Sequence, residues 1–174
     1  MDPIKHKGKP MPKTTYKEVT TTGPIEWARL SEGNRDLEGY GGAYQKTEGA
    51  YTVNQVLDKE NLSRLKEAGS QKQPNQKRIM DGEMVVKFVR PHKVLKKDGT
   101  VLEQAGGEPK VTDKDGNPWT EDMGTIGNGT VAECTNLITT FTGGDGKEYS
   151  RTSLVSVKVL ELVEYVKENE AVGF

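Results

Sequence analysis

Two long runs of residues that favour extended backbone, Thr130 to Phe141 (TVAECTNLITTF) and Thr152 to Val166 (TSLVSVKVLELVEYV), are joined across Gly143-Gly144-Asp145-Gly146. β-branched and apolar runs of this length on either side of a Gly/Asp turn read as strands, and they commit the second half of the chain to a sheet. In the last run Val155, Val157 and Val159 share one face, after which the apolar phase moves to Leu160 and Leu162. A bulge near residues 159–160 accounts for the shift and helps a sheet to curve.

Upstream, Pro24 to Leu30, Ala50 to Leu57 and Met84 to Arg90 read as three further strands, the last ended by Pro91. Between the second and third lies a helix with start and stop signals. Asp58 is its N-cap, Leu57 and Leu62 take the N′ and N4 positions of a hydrophobic staple, and Gly69 suits the left-handed C-terminal position. Ser70 to Gln76 reads as a polar linker, while Lys96-Lys97-Asp98-Gly99 and Lys114-Asp115-Gly116-Asn117-Pro118 are turn signals. The expected fold class is mainly β, a five- to six-stranded closed barrel with one short α-helix. At 174 residues this makes one domain. Order is expected from about residue 22 to 166, after a Lys- and Pro-rich flexible arm (1–21) and before a short acidic tail (167–174).

Charge is unevenly spread. Residues 62–97 carry ten basic and three acidic side chains, and residues 98–174 carry six basic and fourteen acidic, although the whole chain is at −1. That segregation is expected of a protein with one electropositive face. Enzymatic chemistry has little material. The only histidines, His6 and His92, are far apart in sequence and one lies in the expected arm, so a His-based metal site or a Ser/His/Asp triad has little material, and no cofactor is implied. Asp113, Asp115 and Gly116 form a turn rather than a Ca²⁺ loop, because the acidic ligand expected twelve positions along does not follow. Cys134 reads as a small buried hydrophobe. No window is apolar enough to span a bilayer, and Met1-Asp2-Pro3-Ile4-Lys5 is not followed by the apolar segment of a secretion signal.

What the chain does offer is cations interleaved with aromatics, the two ingredients of sequence-tolerant binding to single-stranded nucleic acid. Lys87, Arg90 and Lys93 lie on and just after the Met84 strand, with Phe88 among them; Trp27, Arg29, Tyr40, Tyr44 and Tyr51 lie upstream; Lys110, Trp119 and Arg151 lie downstream. For Trp27, Phe88 and Trp119 a place in the core stands beside a place on the DNA surface, because a small barrel has few aromatics to fill it.

The run Gly106-Gly107-Glu108-Pro109-Lys110-Val111-Thr112-Asp113-Lys114-Asp115-Gly116-Asn117-Pro118-Trp119, then Ile126-Gly127-Asn128-Gly129-Thr130 opening a strand, then the Val-rich strand from Leu154 to Tyr165, resembles phage single-stranded DNA-binding proteins of the short-tailed-phage replication type. Gly49-Ala50-Tyr51-Thr52-Val53 and Val85-Val86-Lys87-Phe88-Val89-Arg90 fit the same pattern, so the resemblance covers about residues 24–166. It implies an OB-fold barrel, single-stranded DNA as partner, cooperation with phage DNA polymerase and helicase-primase, strand annealing, and the cytoplasm of an infected host cell. Such proteins often carry a long acidic tail ending in an aromatic residue. Here the acidic run is short, but Phe174 matches the terminal aromatic as a partner-binding candidate. Monomer and homodimer both remain open. The reading from another class is a β-barrel phage structural or assembly protein, whose segregated charge would mark a subunit interface.

Overall fold

A computed structural model describes residues 14–96, 98–101 and 106–165. Among these residues six strands form one sheet: β1 (Thr14–Arg29), β2 (Ala50–Leu57), β3 (Met84–Pro91), β4 (Lys110–Thr112), β5 (Thr130–Thr142) and β6 (Glu148–Glu161), in the order β3-β2-β1-β5-β6-β4. The neighbouring pairs are antiparallel except β4 with β6, which run parallel. The sheet curls until β3 packs against β6. This gives the mainly β, OB-like barrel expected from the sequence, with a short β4 added at its edge.

The β2 strand and the α1 helix (Lys59–Glu67) fall where their signals placed them. The Asp58 carboxylate accepts from the Asn61 N–H at 2.8 Å. At the other end the Gly69 N–H donates to the Lys66 carbonyl and the Ser70 N–H to the Leu65 carbonyl, with Gly69 at φ +102°. This is the Schellman arrangement, and glycine meets its left-handed requirement. A second helix, α2 (Gln76–Ile79), is one turn long and begins at the end of the expected linker. The expected arm is corrected. The first strand begins at Thr14, so residues 14–21 are not arm: they pair along β5 from Thr14 opposite Phe141 to Thr21 opposite Cys134. Residues 1–13 and the tail with Phe174 lie outside the described residues.

The register slips where Val131 faces Glu161 but Ala132 faces Val159, which leaves Leu160 as the extra residue of the bulge anticipated there. A second slip makes Val155 extra, so Leu154 rather than Val155 joins Val157 and Val159 inside. The core comprises Val19, Ile25, Val53, Leu57, Val86, Phe88, Ala132, Cys134, Ile138, Leu154 and Val157, closed at one end by Leu65 and Ala68 of the α1 region. Each large side chain fully buried here contributes about 1.5–3 kcal/mol of transfer free energy. Burial pushes the Cys134 thiol up to about 12, which makes it inert.

Between Thr14 and Pro24, β1 has no strand partner on its β2 side among the described residues, and side chains fill the gap. Asn61 accepts from the Thr22 N–H at 2.9 Å, Arg64 donates to the Thr20 carbonyl, and the buried Gln55 amide donates to the carbonyls of Thr21 and Ala132. Gly23 is required where β1 passes β2, because a Cβ there would lie 2.3 Å from the Val56 carbonyl oxygen.

Candidate nucleic-acid interface

The outer face of β3 presents Lys87, which is exposed and lies opposite Asn54 of β2. Its ammonium sits 5.5 Å from the centre of the Tyr44 ring, which comes from the loop between β1 and β2. That loop is folded tightly. Gly39, at φ +70°, lets the Tyr44 ring pack where a Cβ would stand 2.6 Å from it, and the Asp36 carboxylate accepts from the N–H groups of Glu38 and Gly39. The Gly39 bond chiefly holds the Asp36 carboxyl below its ordinary range, with help from the nearby charges of Lys87 and Arg29. Arg29 and Lys87 therefore both act on Asp36, at the base of the loop that carries Tyr44.

Lys72 joins them from the segment after α1. Burial lowers its affinity for a proton, and repulsion from Lys87 lowers it further. Lys72 and Lys87 thus feel each other's positive charge, and an anion bound near them would relieve that repulsion. The segment carrying Lys72 also fills the seam between β3 and β6. Asn75 N–H donates to the Val85 carbonyl of β3, while Gln71 accepts from the Ser150 N–H and donates to the Glu148 carbonyl of β6.

Across that seam stands the β5–β6 hairpin. Phe141 and Tyr149, opposite each other in register, stack with centroids 6.0 Å apart, and the Arg151 guanidinium lies 5.8 Å from the centre of the Phe141 ring. Asp145 accepts a hydrogen bond from the Tyr149 hydroxyl and so raises its proton affinity. Tyr16 shares this outer face through the register Tyr16–Thr139–Arg151 and is 68% exposed. Near the far end of β1, Trp27 is 65% exposed and has φ +51°, and its N–H donates to the Asn128 side chain at 2.8 Å.

The structure pairs Tyr44 with Lys87, leaves Trp27, Arg29 and Arg151 exposed, and removes Tyr51 and Phe88 from the surface. Tyr51 (1% exposed) and Phe88 (0%) are interior residues: both side chains point inward from their strands, and Tyr51 packs against His92. Neither can stack on a base. Arg90 is a structural tether. Its guanidinium donates to the carbonyls of Gly107 (2.8 Å), Gly106 (3.1 Å) and Leu154 (3.3 Å), and so holds β3 to β6. Lys93 is paired with Glu48 at 3.2 Å. Trp119 is fixed by its indole N–H to the Gly124 carbonyl and lines a groove of about 530 Å³ with Glu108 and Glu121, and no lysine or arginine lines it among the described residues. Such a groove repels phosphate. Lys110 is exposed on β4, outside the Tyr44 group.

The basic run of residues 62–97 is likewise less free than its count suggests. Arg64 pairs with Glu60, and Arg78 is clamped between Glu26 and Glu83. Sequence reading missed Lys72, Phe141, Tyr149 and Tyr16. The aromatic pair was accessible from the hairpin itself, since Phe141 and Tyr149 lie symmetrically about Asp145. Nothing local marked Lys72.

No protein-family model and no curated protein matches the sequence. Among solved structures the chain is similar to gp2.5, a single-stranded DNA-binding protein encoded by bacteriophage T7, with a TM-score of 0.56 and 16% identity over 91% of this chain and 94% of that one. A C-terminal truncation of the single-stranded DNA-binding protein from bacteriophage Enc34 aligns with a TM-score of 0.46 and 12% identity, over 86% and 88% of the two chains. The likeness to the T7 protein is one of fold.

Proposed function

We propose that this chain binds single-stranded DNA without reading its sequence, in the manner of a phage replication and recombination protein that coats exposed strands. The observation that carries the reading is the Lys87–Tyr44 pair on the outer face of β3, with the charges of Arg29 and Lys72 acting in the same electrostatic field. In an OB fold the face of strands 2 and 3 and the loops 1–2 and 4–5 receive oligonucleotides. Here those parts correspond to β2, β3, the Tyr44 loop and the β5–β6 hairpin. The likeness of fold to a single-stranded DNA-binding protein supports the same reading. A strand laid on Lys87 and Tyr44 would cross the seam at Lys72 and reach the Phe141–Tyr149 stack with Arg151 above it.

The chemistry is non-covalent. Cations neutralise phosphates, aromatic faces accept unstacked bases, and neither distinguishes one base strongly from another. Work beside a phage DNA polymerase and helicase-primase in the infected host cell belongs to the same proposal. The test is charge reversal at Lys87 in titrations with labelled oligo-dT at several salt concentrations. Weaker binding with a shallower salt dependence supports the site, and unchanged binding and slope reject it.

A further inference from the structure

We infer that Trp27 forms a base-stacking subsite and that Asn128 is the residue that positions it; this deepens the single-strand-binding reading above and rests on it. At φ +51° Trp27 occupies the left-handed region, where a bulky side chain is an outlier. Glycine or asparagine would satisfy the backbone there at less cost. Nor does the core explain the residue, because its side chain is 65% exposed. A large aromatic kept in an unfavourable conformation with little of its surface buried is a residue held for presentation, and strained backbone of this kind gathers at functional sites.

The pairing pattern shows what holds it. The ladder between β1 and β5 ends with Ile25 opposite Thr130, and on the other side the register jumps from Glu26–Asn54 to Arg29–Thr52. Trp27 lies in the irregular stretch between, and Asn128 takes its N–H through a side-chain oxygen at 2.8 Å. Asn128 is itself fixed on both flanks. The Gly127 N–H donates to the Val163 carbonyl at 2.7 Å, and the Gly129 N–H donates to the Ile25 carbonyl at 2.9 Å. Asn128 thus ties the irregularity in β1 to the start of β5. Two residues beyond Trp27 on β1, the exposed Arg29 contributes with Lys87 to lowering the Asp36 pKa, so a cation follows the indole closely along the strand. The ligand class is a nucleobase of any identity, because every base offers a π face.

The experiment is anisotropy titration of labelled oligo-dT with W27A, W27G, W27F, N128A and K87E, together with melting of each protein. Stacking predicts that W27A and W27G each bind about five- to 160-fold more weakly, the range one stacked base supplies, while W27F keeps most of the affinity. Backbone strain predicts that W27G melts above W27A, since the two differ by a single Cβ in a left-handed position. N128A should weaken binding less than W27A and add nothing to it in the double variant, because it acts through the indole. If W27A bound like the wild type while K87E was weakened, the subsite would be refuted and the Lys87 site would stand. If the wild type itself showed no affinity for oligo-dT, the underlying reading would fail. N128A binding like the wild type would remove Asn128 from its positioning role, and W27G melting below W27A would refute the strain argument.

Discussion

Lys87 places its ammonium 5.5 Å from the centre of the Tyr44 ring, joining the outer face of β3 to the β1–β2 loop through a cation and an aromatic face. Such a pair is worth about 0.5–1 kcal/mol when exposed, too little to fix the loop alone. The loop is ordered by its own hydrogen bonds to Asp36, which leaves Lys87 available for a phosphate.

Reversing the charge with K87E should weaken oligo-dT binding roughly tenfold, on the order of 1.4 kcal/mol, and reduce the salt slope by about 0.7, the share of one neutralised phosphate on a single strand. Its melting temperature should stay close to that of the wild type, because an exposed cation contributes little to folding. Titration at several salt concentrations, with a melt of each protein, checks both parts.

The hairpin stack predicts a dependence on strand length. Y149A should bind a short oligonucleotide, one covering only the Lys87 face, as well as the wild type does. It should bind longer strands several-fold more weakly, since one aromatic platform is removed. Equal losses at all lengths would mean that Tyr149 belongs to the first contact.

Much of the fold was legible in the sequence, and the physical reasons are local. Asp58 and Gly69 announced α1 because caps are set by residues within one turn. The Leu160 bulge showed as a break in alternation. Tyr51, Phe88 and Arg90 were misjudged because alternation gives two faces without saying which is inside; the answer depends on how the sheet curls. The start of β1 was hidden for another reason. Residues 14–18 are exposed and polar, so they carry no burial pattern, and their ladder to β5 is made by backbone groups common to every residue.

Gln55 tests the interior. Its side-chain oxygen accepts from the Thr21 hydroxyl at 2.6 Å, and its amide donates to the carbonyls of Thr21 and Ala132. Q55L should lower stability by about 2–3 kcal/mol, because it leaves several buried polar groups without partners. Urea unfolding of the two proteins measures it, with oligo-dT affinity retained wherever the variant is folded.

Acid should loosen the Arg78 clamp. The hydrogen bond from Arg78 holds the Glu26 carboxyl below its ordinary range, so the folded pKa lies under the unfolded one. The stability this provides is fully present above the unfolded value near 4.5 and is lost as pH falls through the folded value. E26Q should therefore melt below the wild type at pH 7, with the gap closing as pH falls below 4.5 and through the folded pKa. A gap independent of pH would show that the charge of Glu26 plays no part.

The central claim is preference for unpaired strands, and it is tested most directly by titrating the wild-type protein with labelled oligo-dT, oligonucleotides of mixed sequence, and the matching duplex in one buffer. Exposed aromatics and spaced cations predict comparable affinity for the single strands, weakening as salt rises, and much weaker binding to the duplex, whose bases are already stacked. Equal affinity for duplex and single strand, or no binding at low salt, would contradict the account.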